Sequence, residues 1–224
     1  FDLKFVDPVG EVSQASGSLI DIDLREETKA IRFGLRKVTG IDPKAQSPFW
    51  MQRILMLAGQ RPVNLATDVT NYVMLYLGQP MHAFDANKVA GNLVVRNAQA
   101  GEKFETLDHV NRELFAEDVV ICDDNGIQSL AGVMGGTTSE ISDDTTDVYF
   151  EAATWDPITV ARTSRRHKLS SEASRRFERG VDPAIVEYSL DLACELLVQY
   201  GGGHVEDART LVGEVPEAKV VALD

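Results

Sequence analysis

Residues 93–153 read LVVRNAQAGEKFETLDHVNRELFAEDVVICDDNGIQSLAGVMGGTTSEISDDTTDVYFEAA, and this stretch decides the fold. Short runs of apolar and β-branched residues recur here between polar breaks. They are LVVRNA (93–98), KFETL (103–107), DVVICD (118–123), IQSLA (127–131) and DVYFEAA (147–153). Runs of this length and composition, bounded by turn residues, are strands. Asp124-Asn125-Gly126, between two of them, is a strong hairpin signal, because these residues tolerate the positive φ of a tight turn. Gly132, Gly135 and Gly136 make a glycine-rich corner directly after IQSLA.

Helical spacing takes over on either side. Ser47-Pro48 predicts a helix start, with Ser47 as the N-cap and Pro48 in the first helical position. Trp50, Met51, Ile54 and Leu55 keep helical spacing up to Gly59. A second helix is expected from Asp68 as N-cap, with Val69, Tyr72, Val73, Tyr76 and Leu77 as its buried stripe. Thr70, Asn71 and Met74 fall away from that stripe. Gly78 closes the helix, Gln79-Pro80 forces an extended exit, and His82 lies just beyond.

Downstream, Asp156-Pro157 opens another helix, and a further one spans Ser171 to Arg179 with Gly180 after it. Asp182-Pro183 opens the longest helix, whose stripe is Val186, Leu190, Ala193, Cys194 and Leu197. Upstream, IRFGLRKVTGI (31–41) reads as a strand bent at Gly34. Helices before and after a series of antiparallel strands give an α+β fold, an antiparallel β-sheet core flanked by helices. Its main domain is expected over 31–203. Residues 1–30 form a weakly strand-like N-terminal segment, and 204–224 read as a connector toward a following domain.

Composition narrows the function classes. Of 224 residues, 44% are hydrophobic and 25% charged, as in ordinary globular proteins. No apolar run approaches the ~18 residues of a membrane span, so no membrane partner is expected. The chain opens on Phe1, without a basic-then-apolar leader, and we expect an excised piece of a longer chain. Cys122 and Cys194 are far apart in apolar runs, which fits two core thiols in a reducing cytoplasm and no metal site. The net charge of -13 argues against a large RNA-binding surface, since phosphate contacts carry much of RNA affinity. It is compatible with a small site for the end of an RNA held elsewhere. Seven of the 22 basic residues lie between Arg162 and Arg179. With Glu172 and Glu178 interleaved, they form either a solvated helix face or a phosphate-facing stripe.

Three features could carry chemistry. His82 is one, although a lone histidine near a helix end is more often structural. Glu151 is another. In DVYFEAA, alternation sets Val148 and Phe150 on one face and Tyr149 and Glu151 on the other. Glu151 is then either a carboxylate on a wet sheet face or, beside the small Ala152 and Ala153, a ligand contact. The glycine corner is the third. It lacks the Lys-Ser or Lys-Thr of a P-loop, and it either makes a positive-φ turn or lets a ligand approach bare backbone.

Three long runs go further. RPVNLATDVTNYVMLYLGQPMHAFD (61–85), LAGVMGGTTSEI (130–141) and FEAATWDPITVARTSRRHKLSSEASRRFERGVDP (150–183) occur in this order. Together with SPFWMQRIL upstream, they resemble the beta subunit of bacterial phenylalanyl-tRNA synthetase, over roughly Ile31 to Gly203. The part resembled is the B3/B4 editing module. The resemblance implies hydrolysis of tyrosine wrongly esterified to the tRNA for phenylalanine. It implies a pocket lined by Arg61, Thr70, Asn71, Gly132, Gly135, Glu151, Ser171 and Ala173, with His82 as the catalytic residue beside the scissile ester. Glu151 matches the position that takes the tyrosine hydroxyl, and as an ionised acceptor it would gain a charge-assisted hydrogen bond from the phenol. The resemblance further implies an alpha-subunit partner in an assembly of two alpha and two beta chains, and the tRNA acceptor end as ligand. No DNA and no cofactor are expected in this fragment, with ATP and Mg at the alpha-subunit site. Ser171 departs from the threonine often found in relatives, which keeps the hydroxyl and drops a methyl. A non-catalytic module that guides tRNA and shapes the assembly is the alternative.

Overall fold

The computed structural model describes residues 7–217. The outer ends of both terminal segments, 1–6 and 218–224, lie outside the described residues. The chain begins with β1 (Ile22–Leu24) and β2 (Arg32–Thr39). Helices α1 (Phe49–Leu57) and α2 (Leu65–Leu77) follow, then β3 (Met81–Asp85). The middle holds β4 (Leu93–Asn97), β5 (Lys103–Glu105), β6 (Asn111–Glu113), β7 (Val119–Asp123), β8 (Gly126–Leu130), β9 (Met134–Gly135) and β10 (Val148–Thr154). Helices α3 (Pro157–His167), α4 (Glu172–Phe177) and α5 (Val186–Gly201) lead to β11 (His204–Gly213). The fold is α+β, as expected.

Two sheets carry the architecture. One is four-stranded and antiparallel, in the order β11-β2-β10-β3. The other is five-stranded, in the order β1-β4-β7-β8-β9, with β1 parallel to β4 and the remaining pairs antiparallel. Strand alternation divides the core in two. Phe33, Leu35, Phe84, Tyr149 and Ala153 leave one face of the four-stranded sheet to pack with the five-stranded sheet, α3 and α4. Val38, Ala83, Val148, Phe150 and Ala152 leave the other face to pack with α1, α2 and α5. The four-stranded sheet is thus the middle layer, and all seven residues of β10 are buried.

Several local expectations give way to tertiary packing. Helix α2 starts a turn earlier than expected, with Asn64 as N-cap accepting from the Thr67 N–H at 2.9 Å. Asp68 is instead buried in its first turn, where it accepts from Ser47 Oγ at 2.6 Å and from the Val63 N–H at 2.8 Å. Ser47 therefore ties two helices together and does not cap α1, whose N-cap is Pro48 with no side-chain bond. Thr70 and Met74 are buried rather than turned outward, because α2 meets core on more than one side. Gly34 makes no bend. Its backbone stays in β2, and an added Cβ would lie 2.8 Å from Leu190 Cδ1, so the glycine admits α5 against the sheet.

The stretch read as a connector begins with β11, which pairs with β2 from His204↔Thr39 to Gly213↔Arg32. A register shift between Val205 and Arg209 interrupts its alternation, so the two-residue period does not show. Strand β3 was equally silent, since Ala83, Phe84 and Asp85 are all buried and no polar face marks the period.

Helix α3 is fixed to the start of β7 in the five-stranded sheet through one carboxylate. Asp118 is fully buried and accepts from the Phe115 N–H at 2.9 Å, Thr163 Oγ1 at 3.0 Å and His167 Nε2 at 2.7 Å, and it pairs with Arg166. Removing one partner of such a cluster leaves the others desolvated and unpaired. Asp118→Ala is therefore expected to lower unfolding free energy by about 3–5 kcal/mol, and Asp118→Asn by less, as read from urea denaturation.

Candidate functional site

Register brings two of the expected residues together. Strands β3 and β10 pair antiparallel, with His82 directly opposite Glu151. Directly opposed residues project from the same sheet face, here the face that carries Tyr149 and Ala153 toward the five-stranded sheet. The glycine corner after β8 and helix α4 border the same space. The result is a cleft of about 60 Å³, lined by His82, Gly132, Gly135, Glu151 and Ala173, and by Trp155 and Phe177 among others.

Glu151 is only 6% exposed. Desolvation alone acts on its carboxyl, raising its pKa from 4.5 to about 8. Burial therefore favours the protonated carboxyl at neutral pH. This runs against the expectation of an ionised acceptor: among the described residues no cation or hydrogen bond offsets the cost of burying the charge. The wet-face alternative is likewise excluded by burial.

His82 has the mirror-image environment. Its Nε2 is enclosed and finds no partner among the described residues. Its ring stands edge-to-face on Phe84, with centroids 4.4 Å apart. Desolvation lowers its pKa to about 4, so the imidazole is neutral across the physiological range. Such a ring can orient a water molecule, but it is a weak proton acceptor. Gly135 is required here, since a Cβ at that position would lie 2.3 Å from His82 Cε1. Gly132 has φ +69°, and its Cβ would lie 2.8 Å from Trp155 Cδ1, so the corner serves both a turn and a close approach.

The remaining expected residues divide. Thr70 borders a second hollow of about 220 Å³, for which His82 is also a wall. Its Oγ1 donates to the Thr67 carbonyl at 2.7 Å. Arg61 is exposed and Asn71 half-buried, and neither lines either hollow. Ser171 is the N-cap of α4. Its Oγ accepts from the Ser174 N–H and donates to the Val133 carbonyl, each at 3.0 Å. It thereby joins α4 to the glycine corner and places Ala173 at the cleft.

Trp155 and Phe177 were missed. Trp155 continues the alternation Glu151, Ala153, Trp155, and Phe177 lies one helical turn beyond Ala173, so both carried a signal. The basic cluster also splits. Arg166 pairs with Glu117 and Asp118, and Arg175 and Arg176 pair with Glu172, while Arg162, Arg165, Lys168 and Arg179 are exposed.

Residues 29–202 match the family model described as the B3/4 domain. The chain belongs to the B3/4 domain family. Its curated relatives include three proteins named phenylalanine–tRNA ligase beta subunit. That of Corynebacterium glutamicum is 74% identical over 100% of this chain and 28% of its own length. That of Nocardia farcinica is 55% identical over 92% of the chain and 25% of its own. That of Thermobifida fusca is 47% identical over 99% of the chain and 27% of its own. The chain therefore spans about a quarter of the length of these B3/4 relatives. An N-terminal fragment of the phenylalanyl-tRNA synthetase beta subunit from Pyrococcus horikoshii shares the fold, with a TM-score of 0.52 at 12% identity, over 91% of this chain and 57% of that one.

The buried carboxyl makes stability depend on pH. The folded state keeps the Glu151 proton up to about pH 8, whereas the unfolded chain releases it near 4.5. Between these values the native state binds more protons, so stability falls as pH rises through the window. Glu151→Gln removes this dependence. The substituted chain is expected to gain on the parent progressively from about pH 4.5 to about pH 8. Urea melts across that range measure it.

Proposed function

We propose that this chain is the editing module of a phenylalanyl-tRNA synthetase beta subunit, and that its cleft hydrolyses the ester of tyrosine on the tRNA for phenylalanine. The observation that carries this reading is the pairing of His82 with Glu151 on one buried strand pair in one cleft. A phenol that enters would meet a carboxyl that has no side-chain or backbone partner among the described residues. Neutral at working pH, that carboxyl can donate and accept, and a phenolic hydroxyl can do both in return. Phenylalanine would leave it unpaired, at a cost of about 1–3 kcal/mol. The module would thus complement the synthetic site, since an apolar pocket rejects an extra hydroxyl by only ~100-fold.

An aminoacyl ester is already activated, so positioning a water supplies much of the rate. His82, neutral and at the wall shared by both hollows, is the group we assign to orient that water. The backbone of the glycine corner would stabilise the developing oxyanion. The terminal nucleotide would occupy the hollow beside Thr70, with Arg61 and Asn71 meeting the RNA outside it. Exposed Arg162, Arg165, Lys168 and Arg179 would face phosphates farther along the acceptor end. In this reading the alpha subunit binds ATP and Mg and pairs with the beta subunit two-to-two in the cytoplasm, and the cleft itself uses no cofactor.

The decisive experiment follows Tyr-tRNA and Phe-tRNA hydrolysis in parallel by enzyme carrying Glu151→Ala. The tyrosyl ester should be lost ~10- to 100-fold more slowly, and the phenylalanyl ester no more slowly than before. Equal slowing of both esters, or no slowing of either, would remove Glu151 from specificity. His82→Ala is expected to slow both hydrolyses while leaving the preference for tyrosine unchanged. An altered preference would put His82 at the phenol end.

A further inference from the structure

One helix leaves an apolar face uncovered. In α1, Met51 and Leu55 are fully buried, while Phe49 and Leu57 are each 75% exposed and Met56 is 52% exposed. Trp50 and Ile54 lie partly open between them. Gln52 and the exposed Arg53 are the polar residues of α1, and exposed apolar surface on the rest of such a helix marks a contact site. The face is braced from beneath. Trp50 packs edge-on against Tyr72 at 5.1 Å, Tyr72 stacks with Tyr76 at 5.8 Å, and Trp50 Nε1 donates to the Tyr200 hydroxyl at 3.2 Å. Such side chains lose little further freedom on docking.

The charge around this face narrows its partner. Residues 44–67 contain Lys44, Arg53 and Arg61 and not one Asp or Glu, in a chain with 35 acidic residues. A second copy of the chain would meet the same patch in a two-fold contact, bringing Arg53 against its own counterpart. RNA is a poorer match, because the most exposed residues besides Phe49 are aliphatic and offer no ring for a base, while the aromatic rings already pack on one another. What fits is an apolar protein surface rimmed by carboxylates. The B3/4 relatives supply its source, since a chain like this one makes up 28% of the Corynebacterium glutamicum subunit.

We infer that the outer face of α1 is the seat on which another folded unit of the longer polypeptide docks, through an apolar surface bordered by acidic side chains. This contact is independent of the cleft chemistry. The test is carbene footprinting of the longer polypeptide that carries this sequence, read by mass spectrometry at single residues and normalised to the same polypeptide unfolded in urea. Phe49, Met56 and Leu57 are expected to be as strongly protected as Met51 and Leu55. Labelling close to the unfolded level at those three positions would overturn the inference. So would protection that disappears after ribonuclease treatment, which would mean RNA covers the face, or on dilution, which would mean a second copy does. Leu57→Glu supplies an independent reading. It is expected to lower the Tm of the longer polypeptide, whereas an unchanged Tm would mark α1 as a merely exposed helix.

Discussion

Every layer of this molecule depends on β10 being buried on both faces. Val148, Phe150 and Ala152 face the three-helix side, and Tyr149 and Ala153 face the five-stranded sheet. A slip of one residue would exchange the two sets. It would drive Phe150 toward the cleft and Glu151 into the helical core, where a carboxyl has no water and no partner. The register to β3 and β2 is therefore strongly specified, and the pairing of His82 with Glu151 follows from it.

That pairing produces a site with an unusual electrostatic state. Burial pushes the acid upward and the imidazole downward, to about 8 and about 4. Both shifts favour the neutral forms near pH 7, and among the described residues neither side chain has a hydrogen-bond partner. Unpaired buried polar groups are costly to keep. Their presence at the wall of a cleft, rather than in the sealed core, is what makes a polar ligand the natural completion of their hydrogen bonding.

The scaffold holds the cleft open through charges placed elsewhere. Asp118 fastens α3, and through it α4, to the five-stranded sheet. On the other side of the middle layer, Asp191 of α5 takes Arg36 of β2 and Arg209 of β11, and it accepts from the Ser13 N–H at 2.7 Å. Both carboxylates are nearly inaccessible to solvent, so their pairs act as geometric constraints more than as sources of net stability.

The sequence alone determined the elements that rest on short-range rules. The Asp-Asn-Gly turn, the cap at Asp156, the stripe of α5 and the alternation in DVYFEAA depend on φ preferences, backbone capping and period, all of them local. It also supplied the family and most of the cleft, because Glu151, His82, Gly132, Gly135 and Ala173 sit in long recognisable runs. Tertiary structure decided the rest. Asp68 left the capping role because Ser47, 21 residues away, offered its hydroxyl. Strand β11 became part of the sheet because β2 had an open edge, and its bulge concealed the period. The protonation states of Glu151 and His82 came from desolvation, which depends on what three separate segments bring to one cleft, and no single stretch of sequence contains that information.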